Sequence, residues 1–333
     1  MYNSKNNPGL VKVLSFLKSH NTEYLSGQDL SDVLRISRVA VWKHIKKIKE
    51  LGYTIESKQK MGYRLASNTD LLLPWEITTG LKTKKIGRQT YYFDTLDSTQ
   101  TQAIKMSSDT NNDGAVIIAK KQTSGKGRAN RKWISPEGGI WLSIILHPKF
   151  DISVTTLFPI ASALALSYAI EKTSDIKPEL KWPNDITING KKVAGILVDA
   201  SLESNKIEKI ILGVGINFNV DAKKMENDLK NSPNFYGVAS LKKYTKHETP
   251  MIFVQMFLEE LEKIFDLLNK RQIKKIIEAW TERSSTIGKT VELNTDDGKV
   301  RGKAIKIDDD GALVVDDKKN IRVLAGDISH VEN

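Results

Sequence analysis

The segment from residue 91 to residue 219 constrains the fold most strongly, because short apolar runs alternate there with one long apolar helix pattern. Apolar runs bounded by turn residues predict buried strands, and a longer run predicts a helix. Strands that alternate with helices are typical of mixed α/β domains. We therefore predict such a domain, with a helix over residues 157–171. Its strands are predicted over residues 115–119, 140–146, 186–188, 193–198 and 210–214.

Two further segments flank this domain, as the chain length of 333 residues already suggests. A single hydrophobic core rarely grows to that size, so two or three domains are expected. The polar residues 68–70 mark the first boundary, and a new pattern of short strands begins near Gly288. The predicted domains span residues 1–66, 67–282 and 283–333.

Short alternating strands dominate the last segment and predict a small antiparallel β-barrel. The sequence Asp-Asp-Gly occurs there at 296–298 and at 309–311, and each copy is a hairpin-turn signal. This segment carries nine Lys or Arg against ten Asp or Glu, and its own sequence indicates no chemistry. The amphipathic stretch before it, over residues 251–277, predicts one or two helices that cover the central core.

The first segment has the sequence pattern of a helix-turn-helix domain. Apolar residues recur at helical spacing over residues 10–17, and Ser26 and Asp29 have the pattern of a capping box before a second helix. Ser37 is a good N-cap for a basic helix over residues 38–50. In proteins with this order of elements, the basic helix enters the major groove of DNA.

The charge of this segment also favours nucleic-acid binding. It holds twelve Lys or Arg against five Asp or Glu, so +7 of the net charge of +11 lies in residues 1–66. A hairpin over residues 53–65 predicts a wing whose lysines meet phosphate. The residues expected to contact DNA are Ser37, Arg38, Lys43, Lys46, Lys58 and Lys60. A solvated basic helix and a helical dimerisation module are the alternatives, and Trp42 either contacts bases or packs against the first helix.

Composition excludes several other classes of protein. No apolar run approaches the roughly 20 residues that span a bilayer, and the N-terminal residues lack the apolar core of a signal peptide. The chain has no cysteine, so we expect a soluble, cytoplasmic protein without thiol chemistry or a membrane partner. The histidines at positions 20, 44, 147, 247 and 330 show no ligand spacing, so no metal cluster is expected.

The pentapeptide Lys-Trp-Pro-Asn-Asp at residues 181–185 is the first candidate for a functional motif. Proline fixes its own backbone angle and favours an extended residue before it, so the polar side chains that follow point in set directions. The Asn-Gly pair at 189–190 is a strong hairpin signal, and Lys192 opens the next apolar run. The hairpin is either purely structural or a scaffold that presents these polar side chains and Lys192 to a ligand.

A glycine-rich basic loop over residues 122–133 is the second candidate. Its glycines allow backbone amides to face outward, and its cations lie in one short stretch, so the loop favours an anion. It matches neither the Walker sequence nor the dinucleotide fingerprint, since Asn130 stands where the third glycine belongs. A basic turn on the surface is the alternative.

The sequence Asp-Ser-Thr-Gln at residues 97–100 is the third candidate and leads into a helix. Ser98 and Thr99 are good helix caps, so simple capping is one interpretation. Together with Gln122, their hydroxyl and amide groups would also satisfy a buried polar ligand.

In this order, the motifs resemble those of the biotin protein ligases. The resemblance rests on residues 97–100, 125–133, 181–185, 192–199 and 213–220. With a winged helix ahead and a small barrel behind, the whole chain resembles the bifunctional members that ligate biotin and repress biotin-synthesis genes. The resemblance implies an α/β central domain of the class II synthetase-like type and an SH3-like C-terminal barrel.

The resemblance also implies a two-step reaction. Biotin and ATP, with Mg²⁺, give biotinyl-5′-AMP and pyrophosphate, and biotin then passes to a lysine of the biotin carboxyl carrier protein of biotin-dependent carboxylases. The implied catalytic residues are Lys192 and Arg128, which stabilise developing charge and form no covalent intermediate. Operator DNA and a homodimer in the adenylate-bound state are the other implied partners.

Individual ligand contacts follow from the same resemblance. The positions that bind biotin in the family correspond to Ser98, Thr99, Gln100, Gln122, Lys126, Gly127, Arg128 and Lys192. The positions on the nucleotide side correspond to Arg131, Trp133, Asn184, Asp185 and Asn217. Lys126 stands where arginine is commoner in the family, which replaces a planar fork by a point charge. A transcription factor with a small-molecule sensor and a lipoate or other acyl-adenylating ligase remain alternatives.

Overall fold

The structure, a computed structural model, describes residues 1–3, 6–148, 154–203, 206–232, 235–245, 249–295, 298–317, 320–324 and 326–330. Along the chain it contains a helix-turn-helix domain, a mixed α/β domain and a small antiparallel sheet, which confirms the predicted fold class and order. Within these ranges no helix is both long and apolar enough to cross a membrane. The domain boundaries at residues 66 and 282 stay predictions.

Three helices and a two-stranded hairpin form the N-terminal domain. They are α1 (Pro8–Ser19), α2 (Gly27–Leu34), α3 (Arg38–Glu50), β1 (Thr54–Lys58) and β2 (Gly62–Ser67). The predicted capping box is present, because the Ser26 hydroxyl accepts from the Asp29 N–H and the Asp29 carboxylate accepts from the Ser26 N–H. Arg35 takes the left-handed conformation that ends α2, and Ser37 caps α3. Local sequence therefore determines both the turn and the start of the basic helix.

A seven-stranded mixed sheet with helices on both faces forms the central domain. Its elements are α4 (Pro74–Thr78), β3 (Thr90–Leu96), α5 (Thr99–Met106), β4 (Val116–Gln122), β5 (Ile140–Leu146), α6 (Leu157–Thr173), β6 (Glu179–Lys181), β7 (Asp185–Ile188), β8 (Lys191–Glu203), β9 (Lys206–Ile216), α7 (Ala222–Leu229), α8 (Pro250–Asn269) and α9 (Ile273–Thr281). The strand order is β3-β4-β5-β9-β8-β7-β6, and only the pair β3-β4 is parallel. The side chains of β4 alternate between two cores, as strand geometry requires. Val116 and Ile118 join the large core, whereas Ile117 packs in a smaller core with Ala103 of α5.

The predicted hairpin between β7 and β8 is present. Asn189 and Gly190 have φ angles of 50° and 73°, as the favoured two-residue hairpin turn requires. The hairpin places Asp185, at the start of β7, beside Gly195 of β8. The peptide bond between Trp182 and Pro183 is cis.

The C-terminal domain is an antiparallel sheet of five strands. They are β10 (Thr290–Thr295), β11 (Gly298–Ile307), β12 (Leu313–Asp316), β13 (Ile321–Val323) and β14 (Asp327–His330), in the order β13-β12-β11-β10-β14. The second Asp-Asp-Gly forms the predicted turn, in which Gly311 has a φ of 84° and its N–H donates to the Asp308 carbonyl at 2.8 Å. Residues 296–297 of the first copy lie outside the described residues. The SH3-like form stays a prediction.

The C-terminal sheet is attached to the Lys-Trp-Pro-Asn-Asp turn. Trp182 Nε1 donates to the Gly311 carbonyl at 3.2 Å. The Leu180 N–H donates to the Arg283 carbonyl at 2.8 Å, and the Ser285 N–H donates to the Leu180 carbonyl at 2.9 Å. These bonds hold the small sheet against the edge of the central sheet, next to the pentapeptide.

Candidate active site

A cavity of about 200 Å³ lies where β5, β8 and β9 meet the basic loop (residues 122–133). Its wall is completed by the pentapeptide turn, by residues 235–238 and by Gly326 and Ile328 of the C-terminal sheet. All the residues predicted to contact biotin or nucleotide line it: Ser98, Thr99, Gln100, Gln122, Lys126, Gly127, Arg128, Arg131, Trp133, Asn184, Asp185, Lys192 and Asn217. Motifs that are far apart in the sequence therefore share one cavity.

Uncharged polar side chains form a connected network in the wall. Gln122 Oε1 accepts from the Thr99 N–H at 2.7 Å and from the Thr99 hydroxyl at 3.1 Å. Gln122 Nε2 donates to Ser135 Oγ at 2.7 Å. The Ser143 hydroxyl lies 2.9 Å from both Thr99 Oγ1 and Gln100 Oε1. Because each group is fixed by another, the network offers hydrogen bonds of set direction to a polar ligand.

Gln100 is bound by the protein at both ends of its amide. Besides the contact with Ser143, its Nε2 donates to Asp199 Oδ2 and to the Ile211 carbonyl, both at 3.0 Å. The residue is only 3% exposed. A Cβ at position 213 would lie 2.6 Å from Gln100 Oε1, so Gly213 makes room for the amide. Gln100 therefore helps to fix the part of the cavity wall that contains Thr99.

The basic loop folds back on itself beside the cavity. The Trp133 N–H donates to the Gly125 carbonyl at 2.9 Å. Arg128 Nη1 donates to Asn184 Oδ1 at 3.3 Å and lies 3.5 Å from the Gly326 carbonyl. Arg128 therefore connects the basic loop with the pentapeptide turn and with the C-terminal sheet.

Trp133 packs against two glycines of the central sheet. A Cβ at Gly215 would lie 2.5 Å from Trp133 Nε1, and one at Gly195 would lie 3.2 Å from the ring. Lys192 Nζ lies 5.0 Å from the ring centroid, within cation–π range. Trp133 Nε1 is buried and has no hydrogen-bond partner among the described residues. A buried donor of this kind in a cavity wall is suited to an acceptor on a ligand.

A single carboxylate organises the charged part of the cavity. Asp185 Oδ1 lies 2.5 Å from Lys192 Nζ, and Asp185 Oδ2 accepts from the Tyr236 hydroxyl. Burial, and then the charge of Asp185, raise the pKa of Tyr236 well above its ordinary value, so the phenol remains a proton donor. Lys181 Nζ lies 3.7 Å from the centroid of the Tyr236 ring. Burial lowers the pKa of Lys181, although the neighbouring Asp185 opposes this effect.

Arg128 and Lys192 come from separate elements but are held by adjacent residues. Asn184 accepts a hydrogen bond from Arg128, and Asp185 forms the ion pair with Lys192. The Asn184 side chain is itself fixed, because its Nδ2 donates to the Ile196 carbonyl at 2.6 Å. The pentapeptide turn thus brings two cations to one cavity.

Oxygen atoms in the cavity could accept a hard cation. The described residues contain no group of three or more His, Asp or Glu that could hold a metal ion. Asn217 Oδ1 is buried without a hydrogen-bond partner in that part of the chain, and Asp185 lies in the same cavity. Mg²⁺ usually binds through one or two carboxylates plus substrate phosphates, so these residues fit it without a full protein cage.

Comparison with known proteins gives three matches along the chain. Residues 10–64 match a helix-turn-helix (HTH) domain, residues 92–217 match the biotin/lipoate A/B protein ligase family, and residues 286–331 match the biotin protein ligase C-terminal domain. The bifunctional ligase/repressor BirA of Bacillus subtilis is 34% identical over 311 residues, which cover 93% of this chain and 94% of that protein. The chain belongs to the bifunctional biotin ligase/repressor family. It is therefore a biotin protein ligase with a helix-turn-helix repressor domain, and the predicted resemblance is confirmed.

More distant biotin protein ligases match most or nearly all of the chain. The bifunctional ligase/repressor BirA of Escherichia coli is 26% identical and covers 98% of both chains. A solved structure of the biotin protein ligase from Aquifex aeolicus in complex with biotin and ATP superposes with a TM-score of 0.62 at 26% identity, covering 75% of this chain and 100% of that one. The match extends beyond the catalytic motifs to the fold that carries them.

The face of the N-terminal domain that is predicted to contact DNA is open to solvent. All six residues predicted to contact DNA are exposed: Ser37, Arg38, Lys43, Lys46, Lys58 and Lys60. Trp42 is 54% exposed, and its ring centroid lies 5.8 Å from Lys46 Nζ. Its exposure favours the alternative in which Trp42 contacts bases.

Several residues of the ligase cavity have no counterpart among the predicted site residues. Ser143 is the only polar side chain in the otherwise apolar strand β5, and that exception is a usable sequence signal. Tyr236 lies in a polar stretch that has no periodicity. Gly326 and Ile328 belong to a segment whose own sequence indicates no chemistry, and only the tertiary fold brings them to the cavity.

Proposed function

We propose that this ligase activates biotin with ATP in the cavity, using Lys192 and Arg128 as catalytic residues, and transfers it to a lysine of a biotin carboxyl carrier protein. The observation that carries the proposal is the pairing of both cations with adjacent residues, Arg128 with Asn184 and Lys192 with Asp185. This arrangement supports a site that gathers two anions, the carboxylate of biotin and the phosphates of ATP.

The first step brings like charges together. A carboxylate oxygen of biotin forms a bond to the α-phosphorus of ATP, the bond from that phosphorus to the bridging oxygen breaks, and pyrophosphate leaves. In a partly dry site the repulsion between these anions costs several kcal/mol unless cations are already in place. Lys192 and Arg128 supply that charge, and neither forms a covalent bond to the substrate.

The second step transfers the acyl group. The amine of the carrier lysine attacks the acyl carbon of biotinyl-5′-AMP, the bond from that carbon to the AMP oxygen breaks, and the amine loses its proton. Lys192, which lies against the developing charge in the first step, also stabilises AMP as it leaves.

Recognition of biotin is assigned to the network of uncharged polar groups and to the basic loop. Ser98, Thr99 and Gln122 offer fixed hydrogen bonds to the ureido ring, while Gln100 positions Thr99 through Ser143. Lys126 and Gly127 cover the bound ligand from the loop. Fixed polar partners reject ligands that lack the matching groups, because those partners would remain unpaired.

Binding of the nucleotide is assigned to a second set of residues in the same cavity. The Trp133 indole and the side chains of Arg131, Asn184, Asp185 and Asn217 contact the nucleotide. Asp185 and Asn217 provide the oxygen atoms that would hold Mg²⁺. When bound, Mg²⁺ supplies positive charge to the ATP phosphates.

The N-terminal domain is assigned to operator DNA, and two copies of the chain are proposed to bind it as an adenylate-bound homodimer. The exposed basic helix α3 and the lysines of the wing support this assignment. We test it by measuring salt-dependent binding to an inverted-repeat site with and without biotin and ATP. Tighter binding with both ligands is expected, and equal affinity in the two conditions would remove the co-repressor role.

The ligand is tested by ATP-pyrophosphate exchange in which biotin competes against lipoate. Exchange that depends on biotin and resists a large excess of lipoate is the expected result. Exchange supported by lipoate alone would reassign the protein to the lipoate ligases, and no exchange with either acid would leave only a sensor-type transcription factor.

A further inference from the structure

Tyr236 is the least expected residue in the charged part of the cavity. Its hydroxyl donates to Asp185, the carboxylate that also pairs with Lys192 at 2.5 Å. The residue comes from the stretch between α7 and α8, far along the chain from both partners. The side chain is partly buried and lines the cavity, and loss of solvent around the phenol raises the pKa of Tyr236.

The backbone around Tyr236 is fixed to the strand that carries Lys192. The Lys192 N–H donates to the Gly237 carbonyl at 3.1 Å, and the Ala239 N–H donates to the Lys192 carbonyl at 2.9 Å. Lys192 and Val238 form a parallel bridge. The position of the phenol is therefore set relative to Lys192 itself.

The ring of Tyr236 also contacts a second cation. Lys181 is only 8% exposed, and its ammonium lies 3.7 Å from the ring centroid. Such a contact partly replaces the hydration that a buried ammonium loses. Tyr236 thus contacts one member of the ion pair, Asp185, through its hydroxyl and the neighbouring cation Lys181 through its ring.

We propose that Tyr236 is a positioning residue for the adenylation step. The inference rests on the proposed function of Lys192. To meet the biotin carboxylate and the phosphate, Lys192 must exchange its contact with Asp185 for contacts with substrate. The hydrogen bond from Tyr236 holds Asp185 in place during this exchange, which lowers the cost of releasing Lys192.

The proposal is tested with Tyr236→Phe, which keeps the ring beneath Lys181 and removes only the hydroxyl. We expect kcat of biotin-dependent ATP-pyrophosphate exchange to fall about tenfold, because a hydrogen bond to a charged group is lost in the reacting state. The KM for biotin should stay unchanged, since the uncharged network is not altered. Tyr24→Phe removes a comparable tyrosine–carboxylate bond, to Glu56 in the DNA-binding domain, and is the matched control.

A double-mutant cycle with Asp185→Asn separates positioning from a purely structural role. If Tyr236 acts through Asp185, Tyr236→Phe has little further effect on kcat in the Asp185→Asn background. Two independent effects that multiply would overturn the inference, and so would an unchanged kcat in Tyr236→Phe alone, a readout that does not depend on the Asn variant. Absence of biotin-dependent exchange in the unmodified protein would instead refute the proposed function.

Discussion

Lys18 of the DNA-binding domain and Glu76 of the ligase domain form an ion pair with Nζ–O distances of 2.6 and 2.7 Å. The Glu76 side chain is 7% exposed and also accepts from the Tyr53 hydroxyl, which in turn accepts from Trp75 Nε1 at 2.8 Å. Burial, and then the bond to Glu76, raise the pKa of Tyr53. Tyr2 adds a backbone bridge to Tyr92 on the edge strand β3. The two domains are therefore joined by a buried polar contact as well as by the chain.

Glu76→Gln should weaken the joint between the domains. The amide still accepts a hydrogen bond from the Tyr53 hydroxyl but no longer compensates the positive charge of Lys18. We therefore expect the free energy of unfolding to fall by roughly 1–3 kcal/mol. Operator affinity should fall as well, whereas biotin-dependent exchange persists. Denaturant unfolding and DNA binding measure these effects, with Glu208→Gln on the β8–β9 hairpin as the control. Equal operator affinity in the two variants would show that the ion pair does not position the DNA-binding domain.

Lys192→Met should abolish most of the adenylation activity. Removing one pre-placed charge from a reacting site commonly costs about 10²- to 10³-fold in kcat, and we expect a loss in that range. The neighbouring Lys191→Met is the matched control, because Lys191 pairs with Glu226 and is not in the cavity wall. Single-turnover formation of biotinyl-5′-AMP measures both. Comparable losses in the two variants would argue against a specific role for Lys192.

Lys126→Ala should speed release of biotinyl-5′-AMP. A charge-assisted contact to the ligand is lost, so we expect release about tenfold faster, and slower release in Lys126→Arg, whose planar fork makes two bonds. Lys120→Ala is the control, since Lys120 lies on β4 outside the basic loop and pairs with Glu137 at 2.8 Å. Release is followed by stopped-flow displacement of the adenylate. If neither substitution at position 126 changes the release rate of biotinyl-5′-AMP, Lys126 does not contact the ligand.

Lys60→Ala and Trp42→Ala should affect DNA binding differently. Lys60→Ala removes one phosphate contact, so it is expected to weaken DNA binding uniformly across sequences. It should also reduce the slope of log K against log salt by about 0.9. Loss of Trp42, which is exposed on α3, should change the preference among operator variants instead. Titrations at several salt concentrations measure both, with Lys105→Ala in the ligase domain as the control. A uniform loss in Trp42→Ala would remove base contact as its role.

Glu260 should contribute to stability above about pH 4.5 and lose that contribution in acid. Burial opposes its charge, but the bonds to Lys172 at 2.5 Å and Lys263 at 2.7 Å prevail and lower its pKa. Stability is therefore lost as pH falls through the lowered pKa. Glu260→Gln should reduce the free energy of unfolding by about 1–2 kcal/mol at pH 7 and flatten the acid side of the stability curve. Unfolding experiments between pH 3 and pH 7 test this.

The helix-turn-helix domain is predictable because its signals are local. Ser26 and Ser37 cap their helices through atoms three residues away, and the apolar stripe of α3 follows helical period. The Asn-Gly turn at 189–190 is equally local. Such features depend on backbone conformation over a few residues, so the sequence contains all the information needed.

The remaining features depend on contacts between distant residues. Tyr236 approaches Asp185 only because a backbone bridge ties its segment to β8. Strands β6 and β14 are short and partly polar. Their strand conformation depends more on pairing with β7 and β10 than on their own residues. For Gln100, the ligand contact stays a prediction, and the sequence does not indicate that its amide donates to Asp199 and to the Ile211 carbonyl. Its partners come from β8 and β9, which no local pattern identifies.

The contact between Arg128 and the Gly326 carbonyl spans 198 positions of the chain. During synthesis at roughly 5–20 residues per second, the second residue of this pair is added about 10–40 s after the first. A nascent chain that already contains the helix-turn-helix domain and most of the central sheet still lacks the part of the cavity wall formed by Gly326 and Ile328. Under the proposed function, only chains whose translation has passed Ile328 can therefore enclose the adenylate completely.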